Sequence, residues 1–293
     1  LIKRILFIFI LLISSFSFSQ LSKNHYIPPI SSGPSNADPL DQLMYISTPS
    51  QGDVNFTINI VGGNSISGTV SNATPYVYGI ADSGYSSFVQ DPATTSRVTS
   101  DKGYIISADS PIYVSVRLNA GGNAQAGALV SKGENALGTT FRIGTYDNQG
   151  NPGSNYLNFF SFMATEDNTT VNLTNERVTS GLQIQNAGAQ QFPINNISLN
   201  RGQTYVVAVR PQDTNENRAG LIGTLVSSDK PIVVNSGSAN GSFGNGNARD
   251  YGIDQIVELS KVGKEYIFVK GDGDNSFENV LVVAHEDNTE VSV

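Results

Sequence analysis

Apolar residues fall in short blocks along most of the chain, and Gly, Pro, Asn, Asp and Ser bound those blocks. Gln203-Thr-Tyr-Val-Val-Ala-Val209 and Glu265-Tyr-Ile-Phe-Val269 carry the β-branched and aromatic content of strands. Phe160-Ser-Phe-Met-Ala164 and Thr170-Val-Asn-Leu173 flank Glu166-Asp-Asn-Thr169, whose short polar side chains suit a tight turn, so a hairpin is predicted there. A second hairpin is predicted for Gly103-Tyr-Ile-Ile-Ser107 and Pro111-Ile-Tyr-Val-Ser-Val-Arg-Leu118, turning at Ala108-Asp109-Ser110. Asp229-Lys230-Pro231 reads as the same kind of turn. No stretch of helical length has a 3.6-residue period, and Asp254-Gln-Ile-Val-Glu-Leu259 is too short to stand as an independent helix. The pattern predicts an all-β protein.

The first segment departs from this pattern. Lys3 and Arg4 precede an apolar run, Ile5 to Ile13, and Ser17 and Ser19 then place small residues at the −3 and −1 positions. A basic start, a greasy core and small residues at a cleavage site make a secretory signal peptide over 1–19, leaving Gln20 as the new N-terminus. The run is shorter than the ~20 residues a spanning helix needs. No transmembrane segment is expected after cleavage, and the product is expected to be secreted or held at the cell surface. Leu1 stands where a start Met would, as with a non-standard start codon or a clipped fragment. Residues 20–37, with Pro28-Pro29 and Ser31-Ser-Gly-Pro-Ser35, read as an extended leader without its own core.

A long repeat sets the architecture. Ala164-Thr-Glu-Asp-Asn-Thr-Thr-Val-Asn-Leu173 recurs 120 residues later as Ala284-His-Glu-Asp-Asn-Thr-Glu-Val-Ser-Val293. Ser107-Ala-Asp-Ser-Pro-Ile-Tyr-Val114 recurs at the same offset as Ser227-Ser-Asp-Lys-Pro-Ile-Val-Val234. Ser47-Thr-Pro-Ser-Gln-Gly-Asp-Val-Asn-Phe56 is a weaker first copy. The period is too long for a solenoid repeat of about 20–50 residues and suits a β-sandwich of about 100. The expected organisation is tandem Ig-like or related β-sandwich units at 38–153 and 154–276. Residues 277–293 would then be the first hairpin of an incomplete third unit, at the front of a longer protein.

Composition narrows the function. Cys and Trp are absent and the formal net charge is −8, from 17 basic and 25 acidic residues. There is no disulfide framework, thiolate site or cysteine nucleophile, and no basic excess for reading a nucleic-acid backbone. The two histidines, His25 and His285, lie in the leader and in a repeated turn, so neither suits a catalytic base. Glu166-Asp167 and Glu286-Asp287 are adjacent turn residues, whereas glycosidase carboxylates face each other across about 5–10 Å.

Several motifs resemble a known family. Leu137-Gly-Thr-Thr-Phe141, Ala164-Thr-Glu-Asp-Asn-Thr-Thr-Val171, Leu199-Asn-Arg-Gly-Gln-Thr-Tyr205, Ser227-Ser-Asp-Lys-Pro-Ile-Val-Val234 and Asp254-Gln-Ile-Val-Glu-Leu-Ser-Lys-Val-Gly-Lys-Glu-Tyr266 are similar to the IgGFc-binding protein N-terminal domain family. The similarity runs from about Tyr45 to Val293. In animals such domains stand at the front of large Cys-rich, mucin-like secreted proteins. This chain departs from them in having no Cys, and in having Gln255 where His is usual. The cysteine-free form resembles the version in large secreted proteins of Bacteroidetes bacteria, of the gliding-motility-associated, type IX secretion kind. The resemblance implies a binding protein without implying that this copy binds antibody Fc.

Candidate sites are few. Gly271-Asp-Gly-Asp-Asn-Ser-Phe-Glu-Asn279 could gather calcium ligands from Asp272, Asp274 and Glu278. It lacks the EF-hand spacing, and a polar turn is the favoured reading. Its counterpart, Asp147-Asn-Gln-Gly-Asn-Pro-Gly-Ser-Asn155, has a single carboxylate. No other cofactor is implied. Gly237-Ser-Ala-Asn-Gly-Ser-Phe-Gly-Asn-Gly-Asn247 follows no βαβ pattern and reads as a long loop rather than a nucleotide motif. Phe243, Arg249 and Tyr251, in and beside it, are the candidate ligand contacts. The matching first-unit loop, Asn119 to Gly127, has neither charge nor aromatics. The function expected is non-catalytic adhesion to, or recognition of, a surface protein or glycan. The alternative is a β-sandwich stalk or spacer with no ligand of its own, and a secreted hydrolase ranks below both.

Overall fold

The computed structural model describes residues 20–33, 38–122, 125–148, 152–178, 181–188, 191–242, 249–271 and 280–292. The expected signal peptide lies outside the described residues. Strands dominate the secondary structure up to Ile256, linked by loops, turns and short 3-10 segments.

The first unit contains β1 (Ser22–Ile27), β2 (Ile30–Ser31), β3 (Pro39–Ser47), β4 (Val54–Ile60), β5 (Ser65–Val70), β6 (Tyr76–Ser83), β7 (Val89–Gln90), β8 (Val98–Thr99), β9 (Tyr104–Ala120) and β10 (Gln125–Val130). The second contains β11 (Gly138–Arg142), β12 (Leu157–Ala164), β13 (Thr169–Thr174), β14 (Ile194–Leu199), β15 (Thr204–Val209), β16 (Leu225–Gly241) and β17 (Asp250–Ile256).

One strand organises each unit. The first half of β9 pairs with β1 and β4, and its second half with β3 and β10. β5 extends the first sheet from β4, and β6 the second from β3. β16 repeats the arrangement: its first half pairs with β11 and β13, its second with β12 and β17, while β14 and β15 extend the two sheets. A strand that passes from one sheet to the other closes a sandwich at that corner.

The crossing falls at Asp109-Ser110-Pro111 and at Asp229-Lys230-Pro231, between the stretches that make ladder pairs. A proline there forfeits no sheet hydrogen bond, since its missing N–H has no ladder partner to lose. Both corners are tied alike: Thr48 Oγ1 donates to Pro111 O at 3.0 Å, and Thr165 Oγ1 to Pro231 O at 2.6 Å. The corner aspartates also recur as acceptors, Asp109 from Asn55 Nδ2 and Asp229 from the Thr170 N–H.

Several sequence expectations change here. The Asp-x-Pro segments are corners in continuous strands, not hairpin turns. The Glu166–Thr169 turn joins β12 to β13, which pair with opposite halves of β16 rather than with each other. Residues 22–31 are not a coreless leader: β1 pairs with β9, and Ile27 and Ile30 are fully buried. Strand pairing passes from the first unit to the second near residues 131–137, ahead of the expected boundary at 153/154, because β11 already joins β16. Glu265–Val269 forms no strand, nor do the described residues of the expected third-unit hairpin.

The units share more than a linker. One hydrophobic cluster joins Ile27, Ile30, Phe88, Val89 and Ile106 of the first unit to Leu157, Phe159, Val206, Ala208 and Tyr251 of the second. Phe160, Phe162, Val207 and Val234 face the opposite way, into the second unit's own core. The sheet built on β12 and β15 is therefore buried on both faces, which explains its unbroken apolar runs. β2 lies on its outer face, where Ser161 Oγ donates to Pro29 O at 2.5 Å, and β8 extends it by pairing with β15.

Candidate recognition end and the junction

The long connection after β16 and the connection between β11 and β12 meet at one end of the second unit. Few regular strand partners are available there, so carboxamides, which donate and accept at once, take over backbone pairing. Asn148 Nδ2 donates to Asn158 Oδ1 at 2.8 Å, and Ser238 Oγ donates to the same oxygen at 2.6 Å. Asn158 Nδ2 reaches Tyr146 O and Arg218 O, both at 3.0 Å, while Asn148 Oδ1 accepts the Ser242 N–H. Asn148 and Asn240 hold left-handed φ angles of 50° and 60°, which Asn tolerates better than most residues. The Tyr146 ring lies across Gly241 and Gly252, and a Cβ on Gly252 would overlap its hydroxyl.

At the rim of this end, Arg249 is half-buried. Its guanidinium lies 5.9 Å from the Tyr156 ring centroid, and Nη1 donates to Asn155 Oδ1 at 3.2 Å. Burial pushes the Tyr156 phenol up, with Arg249 opposing the shift. Tyr146 is raised by burial, with Asp250 adding to it. A guanidinium held over an aromatic face keeps donors for an anionic or hydroxyl-rich group.

The sequence-chosen contacts fare unequally. Arg249 stands at this rim. Tyr251 is only 4% exposed and packs in the shared cluster, so its ring faces the core rather than a partner. Phe243 lies outside the described residues, as do Asp272, Asp274 and Glu278. Among the described residues no group of three or more His, Asp or Glu side chains is gathered for a metal ion. Tyr156 and Asn155 were missed; Asn155 closes the Asp147–Asn155 connection, and Tyr156 is the aromatic beside it. Glu166 and Asp167 serve their turn: Thr169 Oγ1 donates to Glu166 O, and Asp167 Oδ1 accepts the Arg201 N–H.

A second polar group lies between the units. Gln255 Oε1 accepts from the Lys132 N–H at 2.7 Å and Ser131 Oγ at 3.2 Å, while Nε2 donates to Tyr26 O at 2.9 Å and Asn235 Oδ1 at 3.3 Å. The side chain thus uses all four of its hydrogen-bonding positions, more than an imidazole offers. His25 is fully buried, with Nε2 between Ile112 O and Ser22 O and Nδ1 3.0 Å from Ser131 Oγ. Both partners of Nε2 are carbonyls, so that nitrogen carries the proton, and Nδ1 competes with Gln255 Oε1 for the single proton of the Ser131 hydroxyl. Desolvation holds the imidazole below its usual range, and the two carbonyls and Glu134 oppose the shift only in part. Lys132 Nζ binds Asp254 at 2.6 Å and also donates to Gln255 O, clamping β17 to the end of β10.

The recognition end and the second-unit side of this junction, Ser131 to Gln255, fall within a stretch matched by a family model. The model described as IgGFc binding protein covers residues 126–293, more than half of the chain. The chain belongs to this family. The IgGFc binding match begins within β10 and takes in the whole second unit. No curated protein and no solved structure matches the chain. The family is one of binding domains, and no helix among the described residues is long and apolar enough to cross a membrane.

Proposed function

We propose that this chain is a non-catalytic recognition module at the front of a larger exported protein, which meets a surface protein or glycan at the end of its second unit. The observation that carries the reading is Arg249 stacked on Tyr156 and bonded to Asn155, beside a loop whose first-unit match, Asn119 to Gly127, has neither charge nor aromatics. Membership of the IgGFc binding family supports a protein partner. The basic-apolar-small pattern of residues 1–19 supports export, and the absence of Cys favours the Bacteroidetes-type, type IX secretion setting. N-terminal sequencing of exported protein should then begin at Gln20.

Binding of the mature chain is measured to immobilised antibody Fc, a glycan panel and whole cells. Truncating an anchoring arginine costs at least about 2 kcal/mol, so Arg249→Ala should weaken any binding found by roughly 30-fold. Equal binding by Arg249→Ala and Tyr156→Ala moves recognition elsewhere. A chain that binds none of the probes supports the spacer reading, for which the doubly buried sheet is the favourable observation: it packs the two units against each other.

A further inference from the structure

The second unit's sheet shows how this fold seats an extended segment. Gln255, Asn235, Ser161 and Val206 form one row across β17, β16, β12 and β15. The first-unit segment Tyr26–Pro29 is held along that row, with one polar side chain from each of three strands. Gln255 Nε2 donates to Tyr26 O at 2.9 Å, Asn235 Nδ2 to Pro28 O at 2.8 Å and Ser161 Oγ to Pro29 O. The spacing suits a proline-rich backbone running across the strands: three residue steps of about 3.1 Å cover two strand separations of about 4.8 Å. Such a backbone makes no hydrogen bonds of its own, so its carbonyls are free to accept. Ile27 and Ile30 pack beside it in one cluster with Phe159, Val206 and Ala208.

The first unit carries the same row with nothing laid over it. Val130, Ser115, Tyr45 and Val77 cross β10, β9, β3 and β6 at the matching positions. Ala128, Arg117, Leu43 and Gly79 form the row beside it. Val77 is 50% exposed, Ala128 and Arg117 are exposed, and a Cβ on Gly79 would meet nothing within 4 Å. Ser115 stands where the second unit has Asn235, and Tyr45 where it has Ser161, so both middle strands keep a hydroxyl donor. Neither hydroxyl makes a hydrogen bond among the described residues.

One difference marks the ligand. Where the second unit has Gly237 opposite Phe159, the first has Arg117 opposite Leu43. The Arg117 guanidinium lies 5.3 Å from the Tyr45 ring centroid and makes no ion pair among the described residues. Asp41, on the same strand as Tyr45, accepts from Asn119 Nδ2 at 3.1 Å instead. A guanidinium resting on an aromatic face keeps donors for a carboxylate, which it can bind with two parallel hydrogen bonds.

We infer that the outer face of the first unit, centred on Tyr45 and Arg117, docks an acidic, proline-bearing extended peptide of a partner, laid across β10, β9 and β3 as Tyr26–Pro29 is laid across β17, β16 and β12. The Tyr45 and Ser115 hydroxyls donate to its carbonyls, its prolines pack against Val130, Leu43 and Val77, and Arg117 pairs with its carboxylate. A ligand already extended before it binds loses little conformational freedom on docking. The inference does not rest on what the Arg249 end recognises.

The probe is an end-blocked synthetic peptide, Glu-Ile-Pro-Pro-Ile-Glu, titrated into the intact chain and followed by fluorescence anisotropy and backbone amide shifts. Saturable binding is expected, with shifts at Leu43, Tyr45, Ser115 and Arg117. Arg117→Gln should weaken it about tenfold, the scale of a lost hydrogen bond to a charged group, and Tyr45→Phe about fivefold. Thermal midpoints of both variants should match the parent, and Arg249→Ala should bind as the parent does. Peptides with Ala for both prolines, or Lys for both glutamates, should bind about tenfold more weakly or worse. No saturation at millimolar peptide, equal binding by the Ala or Lys peptide, or loss of binding in Arg249→Ala overturns the inference. So do shifts at Ser161 and Asn235 instead of Tyr45 and Ser115, because the peptide has then displaced the resident segment. A concentration-dependent dimer that Arg117→Gln dissolves also overturns it, since the occupant is then a second copy.

Discussion

Strands β3 and β12 occupy the same place in the repeat, pair with the same two kinds of neighbour, and differ in what covers their outer face. Leu43 faces Arg117 across the ladder, and the matching pair in the second unit is Phe159 opposite Gly237. Tyr45 faces Ser115, and its match is Ser161 opposite Asn235. On the first unit this face carries Arg117 over the Tyr45 ring at 5.3 Å, and Arg117 is exposed. On the second unit it lies beneath Ile27, Ile30 and Phe88, and Gly237 has no room for a Cβ against the backbone of Gly252. One fold thus takes two surface codes: alternation where a sheet has a wet side, continuous apolar sequence where a neighbouring unit closes it.

The largest effect expected from that comparison is at Phe159. Phe159→Ala should cost about 3–5 kcal/mol in urea unfolding, the usual result of emptying a fully buried aromatic site. The matched change Leu43→Ala, at a half-buried position, should cost about 1 kcal/mol or less. Equal losses would mean that the two faces are covered alike.

A smaller effect belongs to Gln255. Replacing it with Leu strands the Lys132 N–H, Tyr26 O and the Asn235 carboxamide, so a loss of about 1–3 kcal/mol is expected, the cost of buried groups left unpaired. Gln255→His tests whether four partners are needed; full stability in that variant would show that they are not.

The smallest effect is conditional on pH. The pKa of His25 is lower folded than unfolded, so around and below pH 6.5 the unfolded chain binds the proton more readily. Stability contributed at this position is present above that pH and is lost as pH falls through the unfolded value toward the folded one. Urea midpoints should therefore fall more steeply between pH 7 and 5.5 for the parent than for His25→Gln. Parallel curves would show that burial of the imidazole is not what titrates.

Much of the architecture is legible without coordinates. The 120-residue offset and the β-branched blocks identify the repeat and its class. The partners of those blocks are not legible, and the reason is local. Asp-x-Pro favours a bend, but a bend inside one strand and a turn between two use the same backbone preferences. Whether Tyr104–Ser107 pairs with Tyr113–Leu118 or with β4 is decided by residues more than forty positions away. Pro28-Pro29 marks loop chemistry correctly, yet their carbonyls accept bonds from Asn235 and Ser161, more than a hundred residues on. Tyr251 was misread as a surface anchor because it stands beside a Gly/Asn loop. The alternation of Tyr251, Ile253 and Gln255 was the available sign that it begins the inward row of a strand.

The long bent strand also fixes the order in which a unit can assemble. β1, β3 and β4 all precede β9, and each needs it as a ladder partner. A polypeptide threaded N-terminus first, from a ribosome or through a pore, cannot close its first sandwich until Tyr104–Ala120 has emerged. Until then β1 lacks its ladder partner, and β3 and β4 each lack one of their two. Non-local pairing of this kind slows folding, and were the chain exported before folding, that slowness would keep it threadable. The same late strand that joins the two sheets thus makes closure of each sandwich wait on residues near the end of that unit's own sequence.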